Sequence, residues 1–386
     1  MRRRIPVLSW RPCRGEVIAL SRTQEARLRE DRQPNPYGCA LRALRDEILD
    51  FHFSYPLDVV PQAGPKESLS YYLYSDKLSW SVMSMDATGV PRARRRLYGE
   101  VYKPAYIAWW GLVNLGHYLH RNLASGLDIF LRQVEWLESH AAIGPRGSVV
   151  WPNPYDSLEG DTLLVAPWVS AYDQGMVISA LVRGYRITGR PHLMELLRSA
   201  HRIFNIDVCD GGVREPVYGG AAYVELPGVA APGILDGFLT SLLGLYDLFI
   251  ETDDPQVERL FREGVEGLKS VIRIWDYRHK WSWYSNRTYL CPPSYHILNG
   301  KLLKVVAQLT GETVLAEFAG HWSPERLSAI DRLEIYLGFL LTKNWSRMRH
   351  QTWRQTQDRV RRLALDAVRQ TGPKDLQAGS LAKSSD

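Results

Sequence analysis

The chain has 386 residues with 13 tryptophans and 20 tyrosines against only 9 phenylalanines, and it carries a net charge of +6. That length fits two domains or one large domain with appendages, and no segment approaches the ~18 consecutive apolar residues of a membrane-spanning helix. The basic excess gathers in MRRR at the start, PRARRR at 91–96 and an arginine-rich segment from Lys343 onward. Acidic partners are therefore expected, and the lack of any zinc-finger, RRM or helix-turn-helix pattern argues against nucleic acid.

Residues 1–60 read as irregular, with one helical stretch around Ala40–Leu49. The basic start is followed by IPVLSW, which stops at Arg11 and Pro12 and is too short for a signal-peptide core, so a cytoplasmic protein is expected. From Leu69 to Val90, the alternation in SYYLYSDKLSWSVMSMDATGV predicts a β-hairpin or short meander.

The period changes at Pro104. PAYIAWWGLVNLGHYLHRNLA and LDIFLRQVEWLESHAA place apolar residues at helical spacing, with a break expected at Ser125-Gly126. After the turn-rich GPRGSVVWPNPYDS, a second pair follows: WVSAYDQGMVISALVRGYRIT, a break at Gly189-Arg190-Pro191, then HLMELLRSAHRIF. A third pair, ILDGFLTSLLGLYDLFIET and QVERLFREGVEGLKSVIRIW, breaks at Asp253-Asp254-Pro255. A fourth is YHILNGKLLKVVAQLTGE with TVLAEFAGHW. Helix hairpins repeated in this way close into an α/α barrel or stack into a solenoid. The long inserts between pairs are expected to gather at one rim, where loops on a rigid scaffold carry chemistry. Beyond Pro324, SAIDRLEIYLGFLLTKNW predicts an apolar helix and SRMRHQTWRQTQDRVRRLALDAVRQT a basic amphipathic one, suited to an acidic membrane surface, a partner or its own domain. The tail after Gly372-Pro373 is polar and expected to be disordered.

Cys13, Cys39, Cys209 and Cys291 are widely separated and form no CxxC pair, which reads as four reduced thiols and not as a disulfide framework or zinc site. In YVELPG, Glu225 stands in an apolar context before a helix; such surroundings raise a carboxyl pKa and suit a general acid or base, and the helix dipole alone also favours a carboxylate there. The insert WSWYSNRTYLCPPSYHILNG carries Tyr284, Arg287, Tyr289, Tyr295 and His296 together. A tyrosine with its free pKa of ~10 transfers protons only beside a cation or donor network. Arg287 can supply that or grip a substrate carboxylate, while each ring also reads as packing. In WVSAYDQG, Ser170, Asp173 and Gln174 either reach into a barrel mouth or cap the helix. No P-loop, dinucleotide fingerprint, HExxH or GxSxG occurs, so a reaction without cofactor or metal is expected.

WVSAYDQGMVISALVRGYRITG, YVELPGVAAPGILDGFLTSLLGLYDL, WSWYSNR and SYHILNGKLL together resemble blocks of the C-terminal domain of the D-glucuronyl C5-epimerases, enzymes of heparan sulfate and heparosan-type polymers. Weaker similarity extends back through TGVPRARRRLYGEVYKPAYIAWWGLVNLGHYL, so the resemblance covers about residues 55–322. It implies a mostly α protein, an incomplete (α/α) barrel at 96–322 preceded by a small β-rich region at 1–95 and followed by basic C-terminal helices at 323–371 and a tail at 372–386. The implied reaction removes the C5 proton of a glucuronate residue in a polysaccharide and reprotonates the opposite face to give iduronate. By motif position, Glu225, Tyr284 and Tyr295 become catalytic, Arg287 lies near the substrate carboxylate, and Trp168, Tyr172, Gln174, His296 and Asn299 join the substrate-binding set. A homodimer and a peripheral membrane contact through the basic helix are candidate assemblies. The chain departs from the family pattern at Val224, Leu226, Asp236 and Asn299, and the segment between the two catalytic tyrosines is shorter. A divergent, prokaryotic-type member is therefore expected. The alternatives are a lyase, which shares the C5 abstraction but expels the C4 oxygen, and a glycan-binding, membrane-associated protein without activity.

Overall fold

The structure is a computed structural model that describes residues 51–370 except 63–65, 67, 76–82, 96–97, 160–161 and 230, together with residues 5, 6, 45 and 48; side-chain surroundings are described as far as residue 349. The expected tail, Cys13, Cys39 and most of Ala40–Leu49 lie outside the described residues.

Helices dominate, in the expected pairs: α1 (Pro104–Arg121) with α2 (Ala124–Ser139), α3 (Ala171–Thr188) with α4 (Pro191–Ala200), α5 (Leu235–Thr252) with α6 (Pro255–Val271), and α7 (Pro293–Thr310) with α8 (Thr313–His321). The turns follow local chemistry. α3 ends on Gly189 at φ 63° and α4 opens with Pro191; α5 ends on Asp253 at φ 51°, and the next residue, Asp254, caps α6 by accepting the Gln256 N–H at 2.8 Å.

Burial sorts the helices into two layers. α3 and α5 are buried on nearly every side, whereas α6 buries one stripe through Val257, Leu260, Phe261, Val265 and Leu268. The odd-numbered helices pack in an inner row, α1 on α3, α3 on α5 and α5 on α7, with the even-numbered ones outside. The row stays open, and the helices close no barrel. Small antiparallel sheets occupy the inserts: Arg214–Val217 pairs with Gly220–Tyr223, and Asp276–Tyr277, Trp281–Tyr284 and Tyr289–Leu290 form a three-stranded meander with Tyr284 opposite Tyr289.

Three details differ from the sequence reading. The N-terminal meander runs over Met83–Met85, Pro91–Arg95 and Gly99–Val101, while Leu73–Tyr74 pairs instead with Asp58–Val59. Ser125 and Gly126 lie inside α2; a Cβ on Gly126 would stand 2.4 Å from the Asn114 carbonyl, so this glycine permits the close approach of α1 and does not break the helix. The two expected C-terminal helices are one, α9 (Ala329–Gln370). α9 buries Ile335 and Phe339 against Trp281 and Leu290 and leaves Ile330, Leu333, Leu337, Leu341, Trp345 and Met348 exposed at three- and four-residue spacing. Among the described residues, no helix is long and apolar enough to cross a membrane.

Two contacts lock the inner row. Near the C-terminal ends, Arg183 of α3 and Asp247 of α5 form a buried ion pair at 2.7 Å, and Tyr72 donates to the same carboxylate at 2.8 Å. On the N-terminal side of that pair, α3 and α5 meet backbone to backbone, since a Cβ on Gly244 would lie 2.4 Å from the Gly175 carbonyl oxygen. Gly244→Ala is therefore expected to destabilise the protein by about 1–3 kcal/mol, overriding the helix-propensity gain of roughly 1 kcal/mol. Gly300→Ala in α7, where nothing lies within 4 Å, keeps only the gain. Chemical denaturation of the two variants checks this opposite sign.

Candidate active site

Every inner helix begins at the same end, and each brings polar side chains to its start. Lys103 immediately precedes α1, and Tyr106 lies in its first turn; Tyr172 and Asp173 stand in the first turn of α3, Asp236 in that of α5 and Tyr295 in that of α7. Glu225 and Tyr284 come from the inserts before α5 and α7. Backbone links draw these inserts together: the Ala171 N–H donates to the Val224 carbonyl at 3.1 Å, and the Gly233 N–H to the Asn286 side-chain oxygen at 3.0 Å. Gly237 is the space in which Glu225 sits, because a Cβ there would lie 2.5 Å from Glu225 Oε2. Four helix N-termini thus face one mouth, and their aligned dipoles favour negative charge there.

The titrating groups sense one another. Burial raises Tyr284 well above the usual phenol range, and Tyr289, Tyr295, Glu225 and Asp236 add to the effect. Tyr295 is raised too, by burial and then by Asp236, Tyr106 and Glu225, although 41 % of the residue is exposed in the open mouth. Tyr284 and Tyr295 meet edge to face with centroids 5.6 Å apart. Tyr172 is raised by burial, Glu225 and Asp236. The phenols are therefore protonated at neutral pH. Burial also pushes the Asp236 carboxyl up to about 6. Among the described residues, no His, Cys, Asp and Glu group is arranged to hold a metal ion.

Residues 146–324 match the family described as the D-glucuronyl C5-epimerase C-terminus. This match takes in a little under half of the chain, which is thus similar to that family. It is 29% identical over 213 residues to the D-glucuronyl C5-epimerase of Caenorhabditis elegans, a stretch that covers 50% of this chain and 34% of that protein. It is 24% identical over 159 residues to an uncharacterized protein of Methanocaldococcus jannaschii, covering 40% and 51%. The chain thus spans between a third and a half of the length of these relatives. A crystal structure of D-mannose isomerase superposes with a TM-score of 0.39 at 12% identity, over 74% of this chain and 68% of that one.

Against the C5-epimerase pattern, the structure brings Glu225, Tyr284, Tyr295 and Tyr172 to the common mouth and takes the other expected residues elsewhere. Arg287, at φ 61°, is exposed and donates to the Ile274 and Arg273 carbonyls at 3.1 and 3.3 Å, so its guanidinium faces backbone. His296 is fully buried: its Nδ1 accepts from the Ser282 N–H at 3.0 Å, its Nε2 lies 2.8 Å from the Trp322 carbonyl, and burial pushes its pKa down to about 3. A neutral imidazole with both nitrogens occupied is a packing residue. Gln174 donates to the Val149 and Ala200 carbonyls at 2.8 and 2.9 Å and has no exposed surface. Asn299 is buried with its amide 3.7 Å from the Cys291 sulfur. Trp168 gives its indole N–H to the Tyr155 carbonyl at 2.8 Å and packs with Leu164 and Leu226. Ser170 is the cap of α3, and Tyr289 stacks on Tyr284 as packing. The sequence reading missed Lys103 as a site residue and met Asp236 only as a departure. A lysine directly before a proline that opens a buried helix was the available signal.

Because its folded pKa is raised, Asp236 contributes stability that is fully present below its unfolded pKa near 4 and is lost as pH rises through about 6. Asp236→Asn is expected to raise stability at pH 7.5 by up to about 3 kcal/mol and to leave it unchanged at pH 4, as calorimetric melting at the two pH values will show.

Proposed function

We propose that this chain is a uronate C5-epimerase acting within a polysaccharide, converting D-glucuronate to L-iduronate or a similar pair, with residues 96–322 as an incomplete α/α barrel that forms the catalytic unit. The observation that carries this reading is the meeting of a carboxylate, Glu225, with the protonated phenols of Tyr284 and Tyr295 where four helix dipoles converge. The C5 hydrogen is α to the uronate carboxylate. When a base takes that proton, the C5–H electron pair moves toward C6 and leaves an enediolate whose two oxygens share the negative charge. Glu225 suits the base because the phenols hold their protons, and a phenol suits the acid that delivers a proton to the other face of C5. Solvent then removes the proton from Glu225 and restores the phenol. No bond to the ring substituents breaks, so only the C5 configuration changes.

The pattern also fits elimination up to the carbanion stage, so the test must separate the two outcomes. Incubation with heparosan or hyaluronan in deuterated water is expected to place deuterium at C5 without the ultraviolet absorbance of an unsaturated uronate. Glu225→Gln and Tyr295→Phe should each lower exchange by about 10²-fold or more while melting cooperatively. Absorbance growth would make the chain a lyase. Tight polymer binding with neither signal would make it a glycan-binding protein.

A further inference from the structure

We propose that Lys103 is the cation that receives the substrate carboxylate and stabilises the enediolate, a role that rests on the C5-epimerase reading above. The lysine side chain is only 10% exposed, and among the described residues its ammonium has no hydrogen-bond acceptor. Its ion-pair partner, Asp173, stands 4.0 Å away, beyond hydrogen-bond reach. Asp173 is already engaged, accepting the Ala105 N–H at 3.2 Å on one oxygen and the Asn153 amide at 2.5 Å on the other. Among the described residues, no protein group thus accepts a hydrogen bond from this nearly buried ammonium.

The surroundings hold the charge without using those donors. The Tyr106 and Tyr172 rings lie 5.1 and 5.3 Å from the ammonium, within range of a cation–π attraction that needs no N–H bond. Burial opposes the charged form, but Asp173 and then Glu225 more than reverse this and keep the group protonated. A nearly buried ammonium that no protein group accepts from is poorly satisfied, and an entering anion supplies the missing acceptor. The ligand must be anionic and must sit beside Glu225, and the uronate carboxylate is the anion that the proposed reaction brings there. As C5 loses its proton, the charge on the carboxylate oxygens rises, so the same N–H donors bind the enediolate more strongly than the ground state. Arg287, turned toward the Ile274 carbonyl, leaves this role open.

The test uses the full chain and its Lys103→Met and Lys103→Arg variants. One measurement follows deuterium incorporation at C5 of heparosan, and the other compares calorimetric binding of a glucuronate oligosaccharide with its analogue reduced to the C6 alcohol. Wild type should prefer the acid form. Lys103→Met should lose that preference and slow exchange by about 10²–10³-fold, and Lys103→Arg should restore part of both. Lys103→Gln replaces the methionine variant if that one fails to fold. Exchange at the wild-type rate in Lys103→Met, or an undiminished preference for the acid form, overturns the role of Lys103 while wild-type exchange leaves the epimerase reading intact. Wild-type protein with neither exchange nor preference overturns both.

Discussion

The approach of α3 and α5 at Gly175 and Gly244 is the constraint on which the rest depends. With no side chain between the backbones, the two helices have one close register, and a shift along either axis would drive side chains into main chain. That register fixes how the first turns of the two helices stand to one another. Asp173 and Asp236 therefore open onto one mouth, and the insert bearing Glu225 is pulled in through the hydrogen bond between Ala171 and Val224. Further toward the C-terminal ends of the same helices, the Arg183–Asp247 pair repeats the lock with charge in place of glycine. A cavity of about 430 Å³ there is lined by these two residues with Tyr72 and Gln62, and its charges already satisfy one another.

The site inverts the usual economy of a core. Hydrophobic helices carry polar side chains at their beginnings, so carboxyls, phenols and a cation are concentrated where four dipoles point. Burial then acts in different directions on different groups: it keeps the phenols protonated, raises Asp236 toward neutrality and leaves Lys103 charged only because Asp173 and Glu225 stand near it. Each protonation state follows from the neighbours and not from the residue type.

The departures from the C5-epimerase pattern make physical sense in this setting. Leu226 packs into the apolar cluster of Tyr155, Leu164 and Trp168. Asn299 is sealed behind Cys291, whose own thiol burial pushes up to about 12, and both face the packing side of α7. Asp236 adds a second carboxyl beside Glu225.

The helix pairs were legible in the sequence because apolar periodicity, Gly189, Pro191 and the Asp253-Asp254-Pro255 run act locally, through sterics and capping that need no distant partner. Glu225, Tyr284 and Tyr295 stood out through the spacing of recognisable blocks, and the structure sets them near one another. Local signals misled where a glycine served another helix, as Gly126 does, and where polar residues beside the motif turned inward, as His296, Gln174 and Asn299 do to satisfy buried backbone and neighbouring side chains. Lys103 and Arg287 mark the boundary most clearly. Both are cations near aromatic residues in the sequence, and only the packed structure leaves one nearly buried with no protein acceptor among the described residues and ties the other to carbonyls. The sequence by itself determined which segments are helical and which titrating side chains stand beside them. The tertiary structure decided which charges meet, because burial and distance, on which electrostatic energy depends, exist only once the helices have packed.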